Sequence, residues 1–198
     1  MSTIVAGSSQ TAERSEYATW TLERVAALTR DELFALFRTL PAPTPREMDG
    51  EFIGHLPDYS REVWLRWAAG AGNGEWLGKA YRPEAYGRWP GHGYNRWDRK
   101  GKGEVTNRDM RFAWTIEPST ISTGSSLVMY YSAFKHWGGE QDLIDEIRRV
   151  TSGLYLGAYH TREPVPGFTP RQGSMRSEPE IFMLTGPVGA WVGPEGEN

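Results

Sequence analysis

The stretch from Glu104 to Phe134 constrains the fold more than any other part of the chain. Its first half has apolar side chains at every second position: Met110, Phe112, Trp114 and Ile116. Its second half has the same spacing at Leu127, Met129 and Tyr131. A period of two is typical of β-strands whose faces differ. Because Pro118-Ser119 and Thr123-Gly124 supply a bend and a turn between the halves, we predict a long hairpin.

Further alternating segments predict a sheet of six or seven strands. The other candidate strands are 75–81, 94–97, 154–160 and 180–185. In the first of them, alternation assigns Trp76, Gly78 and Ala80 to one face and Leu77, Lys79 and Tyr81 to the other. The chain is also rich in aromatic residues, with nine Trp, nine Tyr and seven Phe, and it has 23 Gly for turns. This combination favours a β-rich domain.

Helical spacing predicts four helices, of which the first two are adjacent in sequence. A short helix is predicted around residues 22–28, and Thr29 with Glu32 forms a capping box that begins a second helix ending before Pro41. Ser60 is a candidate cap for a short helix through residue 68. Residues 141–150 have an apolar stripe with acidic residues first and basic residues last, which predicts a helix there. Residues 48–57 are interpreted as an extended linker, and Trp191 is expected to dock on the domain.

These elements predict a single domain. Residues 1–16 are small, polar and aperiodic, so we expect a disordered tail. Residues 17–198 are then one β-barrel domain, with an N-terminal helical segment at 17–69. The predicted fold class is mainly β: an antiparallel barrel with N-terminal helices and one helix before the last strands. Closure is expected because it removes the exposed edges of the sheet.

The tripeptide Gly74-Glu75-Trp76 resembles the Gly-x-Trp motif at the first strand of lipocalin-like barrels. The layout of residues 74–185, after an N-terminal helical segment, is also similar to small bacterial lipocalin-like (calycin-type) proteins that have no assigned activity. The resemblance implies a closed barrel with an apolar pocket. It implies no particular reaction.

Composition narrows the possible partners and locations. The formal charge is −3 and no block of one sign occurs, so neither a nucleic acid nor a membrane surface is expected as a partner. The sequence has no cysteine, which excludes disulfides and thiol chemistry. Neither an apolar run of membrane-spanning length nor a secretory signal is visible, so the expected location is cytoplasmic. We expect no cofactor, because no nucleotide or nucleophile motif is present, and no metal site, because the four histidines are dispersed.

Several polar residues interrupt the apolar strands, and we expect some of them to meet inside the barrel. His160, Tyr131 and Arg111 are the candidate catalytic residues: an imidazole that titrates near neutral pH, a phenol that can donate a hydrogen bond, and a guanidinium that can hold a carboxylate. Each also has a purely structural interpretation: His160 as a residue of the barrel rim, Tyr131 as a core residue and Arg111 as a member of an ion pair. The expected ligand-binding residues are Trp76, Lys79, Tyr81, Asn95, Trp114, Met129 and Tyr155.

Two functions remain open at this stage. The preferred hypothesis is a cofactor-independent enzyme of the isomerase, lyase or cyclase type that transfers protons on a small apolar or aromatic metabolite. The alternative is a non-catalytic carrier or sensor of a small hydrophobic ligand. A homodimer built on exposed aromatic residues is a third, weaker interpretation.

Overall fold

The structure, a computed structural model, describes residues 19–60, 62, 74–136, 142–161 and 179–194. Two helices precede the sheet, α1 (Leu22–Ala26) and α2 (Arg30–Thr39), and a 3₁₀ turn follows at Pro45–Glu47. The strands are β1 (Gly50–His55), β2 (Glu75–Arg82), β3 (Gly91–Asp98), β4 (Asn107–Pro118), β5 (Ser125–Tyr130), β6 (Leu143–Thr151), β7 (Leu154–Thr161) and β8 (Glu180–Gly189). A second 3₁₀ turn, Tyr131–Ala133, follows β5.

The eight strands form a closed antiparallel barrel in which each strand pairs with its neighbours in sequence, and β8 pairs with β1 to close the ring. The predicted barrel and the predicted β4–β5 hairpin are therefore confirmed. The count of six or seven strands was too low. The segment interpreted as an extended linker contains β1, which is the strand that joins both ends of the sheet.

The helix predicted at residues 141–150 is wrong, because this segment is strand β6. The spacing of its apolar residues is compatible with a helix as well as a strand, and its charged side chains were expected to be exposed to solvent. In the structure Asp145, Glu146 and Arg148 are all buried, with exposed fractions of 2% or less. Each of them makes side-chain hydrogen bonds to other segments. Both faces of β6 are thus covered. Because charged residues are buried on this strand, apolar and polar residues do not alternate along it, and the sequence pattern did not indicate a strand.

A β-bulge in β2 changes the predicted distribution of its side chains. The register with β3 shifts between Trp76 and Gly78, so Trp76 lines the interior together with Lys79 instead of lying on the opposite face. Gly78 has φ of +131°, and a Cβ there would lie 2.1 Å from the Phe52 carbonyl oxygen. Only glycine fits this conformation and this close approach of β1. The bulge therefore depends on Gly78.

The core has two parts, one inside the barrel and one between the barrel and the N-terminal helices. The interior is filled mainly by aromatic rings, including Phe52, Phe112, Trp114 and Tyr155. The second part joins α2 to the outer face of β6, β7 and β8. The capping box of Thr29 and Glu32 is present, which confirms the predicted start of α2. The ring of Trp191 packs against those of His92 and Tyr94, as expected.

Two expectations fall outside the described residues: the N-terminal tail at 1–16 and most of the helix predicted after Ser60. Within the described part of the chain, no helix has the length and apolar character needed to cross a membrane.

Candidate ligand-binding site

A cavity of about 40 Å³ lies inside one end of the barrel. The side chains at its inner end are polar and buried, whereas Leu56, Met110, Leu143 and Tyr159 on its other side are partly exposed. These four residues stand near the ends of β1, β4, β6 and β7 that meet at the same end of the barrel. The cavity therefore runs from a buried polar group toward this end.

The inner wall of the cavity is a cluster of four polar side chains from four segments. The Lys79 ammonium lies 2.6 Å from Asp145 Oδ2, 2.6 Å from the Tyr131 hydroxyl and 2.7 Å from Asn95 Oδ1. The Tyr131 hydroxyl donates to Asp145 Oδ2 at 3.0 Å and accepts from Asn95 Nδ2 at 2.9 Å. Trp76 Nε1 donates to Asn95 Oδ1 at 3.0 Å. A lysine–aspartate pair is thus held in an apolar interior by a hydrogen-bonded network.

Nearly every hydrogen-bonding position in this network is filled. The three ammonium N–H groups of Lys79 have three acceptors, and the single hydroxyl proton of Tyr131 is used by Asp145. Asn95 Nδ2 donates its second N–H to the Met110 carbonyl oxygen at 3.2 Å. The exception is Asp145 Oδ1, a buried atom with no hydrogen-bond partner among the described residues.

A second buried polar atom, which belongs to another residue of the cavity lining, is also without a partner among the residues that the structure covers. It is Nε1 of Trp97, whose side chain is 1% exposed. Buried polar groups are almost always hydrogen-bonded, so each such atom needs an explanation. Among the described residues that line the cavity, Asp145 Oδ1 and Trp97 Nε1 are thus the two buried polar atoms without a hydrogen-bond partner.

Burial dominates the electrostatics of the cluster. It lowers the pKa of Lys79, and the nearby carboxylate of Asp145 opposes this effect. Burial and the same carboxylate raise the pKa of the Tyr131 phenol well above its usual value, so this phenol stays protonated at neutral pH. The ammonium nitrogen also lies 5.3 to 5.7 Å from the ring centroids of Trp76, Phe112, Tyr131 and Phe182. These rings add cation–π attraction to the ion pair.

The predicted ligand-binding residues are all in the barrel interior, but only some reach the cavity. Trp76, Lys79 and Asn95 line it, as does Tyr131 from the catalytic candidates. Tyr81, Trp114, Met129 and Tyr155 belong to the interior core outside the cavity wall. The Tyr81 hydroxyl there donates to Met129 Sδ at 3.4 Å, and Trp114 Nε1 donates to the His92 carbonyl oxygen at 3.1 Å.

The other two catalytic candidates do not line the cavity. The His160 ring lies 2.8 Å from the Thr120 hydroxyl, which also bonds to the carboxylate of Glu146 beneath the β4–β5 turn. The Arg111 guanidinium stacks on the rings of Phe134 and Tyr86, with distances of 4.2 and 5.2 Å to their centroids. The structure therefore brings neither of them together with Tyr131 at the polar cluster.

The sequence analysis missed seven residues that line the cavity: Leu56, Trp97, Met110, Leu143, Asp145, Tyr159 and Phe182. The spacing of residues along the strands could have indicated two of them, Trp97 and Asp145. Trp97 alternates with Asn95 in β3, and Asp145 lies midway between Leu143 and Ile147, which is the spacing of one strand face. Because residues 141–150 were assigned to a helix, the strand spacing of Leu143, Asp145 and Ile147 was not recognised.

Comparisons with known proteins do not assign the chain to a family. No protein-family model matches it, and no curated protein matches it. A crystal structure of a protein from Thermomonospora curvata is similar in fold, with a TM-score of 0.43 and 15% sequence identity, over 80% of this chain and 88% of that one.

Proposed function

We propose that the chain binds a small, largely apolar or aromatic molecule inside the barrel, as a carrier or sensor. The observation that carries this proposal is the cavity itself, whose mostly apolar lining also includes the buried polar side chains of Lys79, Asn95 and Asp145. Ligand pockets in proteins combine a mostly apolar lining with a few polar groups that fix orientation. This is also the role expected of a lipocalin-like barrel, and we extend that resemblance to the present chain as part of the proposal.

The size of the cavity limits what can enter. A volume of 40 Å³ has room for roughly three water molecules. An occupant is therefore either a molecule of a few heavy atoms or one small end group of a larger molecule. The remainder of a larger ligand would pass the partly exposed side chains of Leu56, Leu143 and Tyr159.

The test is native mass spectrometry of the freshly purified protein, followed by release and identification of any retained compound. We expect a bound mass that disappears when a bulky side chain fills the cavity, as in Met110→Trp. As a matched control, Ile116→Trp changes an exposed position on the same strand and should leave the bound mass in place. A protein that retains nothing, and whose melting temperature does not respond to small aromatic compounds, would count against the proposal.

A second candidate function is cofactor-independent proton transfer of the isomerase, lyase or cyclase type. It is favoured by one observation: the carboxylate of Asp145, the ammonium of Lys79 and the phenol of Tyr131 belong to the lining of one cavity. A carboxylate can accept a proton from a bound molecule, and the Lys79 ammonium would stabilise negative charge that develops nearby. The set of residues differs from the one predicted from sequence, since Tyr131 is the only member in common.

The carrier hypothesis and the enzyme hypothesis differ in whether the ligand is chemically changed by the protein. The compound released from the protein is incubated with fresh protein and analysed for chemical change. Turnover that is lost in Asp145→Asn and Tyr131→Phe, with the compound still bound, would favour the enzyme. Quantitative recovery of the unchanged compound would favour the carrier or sensor.

A further inference from the structure

We propose that Lys79 forms a reversible imine with a small aliphatic aldehyde that enters the cavity. The inference rests on the proposed function and deepens it, since it names the reacting atom and the chemical class of the ligand. It follows from the surroundings of the lysine nitrogen, from the hydrogen bonds that remain after the reaction, and from the size of the cavity.

The nitrogen of Lys79 is surrounded by side chains that line the cavity. Polar atoms of Asp145, Tyr131 and Asn95 lie 2.6 to 2.7 Å from it. The ring centroid of Phe182 lies 5.4 Å away. Lys79 and all four of these neighbours belong to the cavity lining. Because buried lysines are the amines that form Schiff bases with carbonyl compounds in proteins, this nitrogen is placed to react with a molecule in the cavity.

Asp145 supplies the base that the reaction needs. An ammonium group has no lone pair, so Lys79 must lose a proton before it can attack a carbonyl carbon. Asp145 Oδ2 lies 2.6 Å from the ammonium nitrogen and can accept this proton. The transfer converts a buried ion pair into two neutral groups, and burial lowers the pKa of Lys79 in the same sense.

The reaction conserves both atoms and charge. The neutral amine attacks the aldehyde carbon, a C–N bond forms, and the carbonyl π-electrons move to oxygen. One proton then passes from nitrogen to this oxygen. The proton held by Asp145 releases the oxygen as water while the nitrogen lone pair forms the C=N bond. The product is a protonated imine beside an ionised Asp145, so the buried charges remain balanced.

The hydrogen-bond network tolerates the loss of two N–H groups from Lys79. Asn95 Oδ1 still accepts from Trp76 Nε1 at 3.0 Å, and the Tyr131 hydroxyl oxygen still accepts from Asn95 Nδ2 at 2.9 Å. The remaining N–H of the imine serves Asp145. The reaction therefore leaves none of the three acceptors of Lys79 without a donor, which avoids the penalty for unsatisfied buried polar atoms.

The size of the cavity selects the aldehyde. A volume of about 40 Å³ accommodates about three heavy atoms, which is the size of acetaldehyde. Benzaldehyde exceeds this volume. The apolar side chains of Leu56, Met110 and Leu143 in the lining favour an aliphatic compound over a charged one.

The experiment maps the reaction on the four lysines of the wild-type protein. The protein is incubated at neutral pH with an equimolar amount of acetaldehyde, and borohydride then reduces any imine to a stable secondary amine. Peptide mapping by mass spectrometry measures the ethyl group on each lysine. Lys100, Lys102 and Lys135 are exposed and serve as internal controls. We expect labelling of Lys79 to be at least roughly tenfold higher than theirs, because a base lies beside it.

Benzaldehyde and two variants provide further controls. Benzaldehyde should label the exposed lysines and leave Lys79 unlabelled. Lys79→Arg keeps a positive charge beside Asp145 but cannot form an imine, so the preferred label should disappear. The matched control Lys135→Arg removes an exposed amine and should leave the label on Lys79 in place. Circular dichroism verifies that both variants fold, and the wild-type map is decisive where Lys79→Arg does not.

The outcomes separate this inference from the binding function. Labelling of Lys79 that is no higher than that of the exposed lysines would overturn the inference. A compound retained in the native mass spectrum would then leave the binding function standing. Equal labelling of Lys79 by acetaldehyde and benzaldehyde would also overturn the inference, because the cavity would not be selecting the aldehyde. Absence of both the label and any retained compound would remove the binding function as well.

Discussion

The ammonium group of Lys79 lies 2.6 Å from the carboxylate of Asp145, although the two residues stand on β2 and β6, four strands apart in a ring of eight. Both side chains are 3% exposed. The pair therefore spans the interior and connects opposite sides of the barrel. Four aromatic rings, among them that of Tyr131, and the Asn95 amide surround the pair, which leaves neither charge in contact with bulk water.

Removing one member of this pair should destabilise the fold strongly. Lys79→Met leaves the Asp145 carboxylate buried without its counter-charge, and we expect the free energy of unfolding to fall by about 3–5 kcal/mol. Urea denaturation measures this change. The double variant Lys79→Met with Asp145→Leu removes both charges and should recover most of the loss. A double variant less stable than Lys79→Met would show that the pair is not the source of the effect.

Arg148 should be essential for the attachment of α2. This guanidinium is 1% exposed and donates to the carbonyl oxygens of Phe37 and Arg38 at the end of α2, and also to Ser126 Oγ. Arg148→Met leaves these acceptors unsatisfied, and we expect a loss of about 2–3 kcal/mol in the free energy of unfolding.

The neighbouring arginine provides the matched control for Arg148. Arg149 forms a partly exposed ion pair with Glu47 at 2.8 Å. Arg149→Met should therefore lower stability by about 1 kcal/mol or less in the same denaturation experiment. Equal losses in the two variants would contradict the special role assigned to Arg148.

Gly78 should be intolerant of any side chain. Gly78→Ala would place a Cβ 2.1 Å from the Phe52 carbonyl oxygen at a φ of +131°, so β1 and β2 must separate. We expect a loss of about 3 kcal/mol or more in thermal or urea unfolding, together with weaker ligand binding because Trp76 and Lys79 move. Gly101→Ala, at φ of +64° with open space around the Cβ, should be unfavourable by only about 1 kcal/mol.

His55 should make the fold sensitive to mild acid. Burial lowers the pKa of His55 below its ordinary value of 6.5, although Glu23 opposes the shift. The folded state therefore favours the neutral ring, which lies 2.8 Å from the Thr185 hydroxyl. The unfolded chain binds the proton more readily, so this contribution to stability is present above pH 6.5 and is lost as the pH falls toward the lowered pKa.

Comparison with His55→Gln isolates this contribution. Between pH 7.5 and 5, the free energy of unfolding of the wild type should fall more steeply than that of the variant. Carboxylates such as Glu47, whose pKa is lowered in the fold, contribute equally to both proteins. Parallel curves over this range would show that His55 does not titrate as described.

Elements with local sequence signals were predictable from the amino-acid sequence alone. The β4–β5 hairpin was predicted because its alternating residues and turn residues are contiguous, and α2 because Thr29 and Glu32 form a capping box three residues apart. The barrel class followed from many aromatic strands that need cover on both faces. The inward residues Lys79, Asn95 and Tyr131 were also predicted, since each interrupts an apolar strand.

Which polar residues meet depends on how the closed barrel brings distant strands together. Asp145 lies 66 positions after Lys79, and no local pattern relates the two. β6 resembled a helix because its charged residues are buried by distant partners that the sequence pattern does not reveal: an ion pair with β2 and hydrogen bonds to hydroxyl groups on β5 and the β4–β5 turn. The bulge at Gly78 moved Trp76 to the inner face, and closure of the ring directed His160 and Arg111 away from the cavity. Burial is a property of the closed barrel. The unpartnered buried atoms, Asp145 Oδ1 and Trp97 Nε1, could therefore be identified only from the structure.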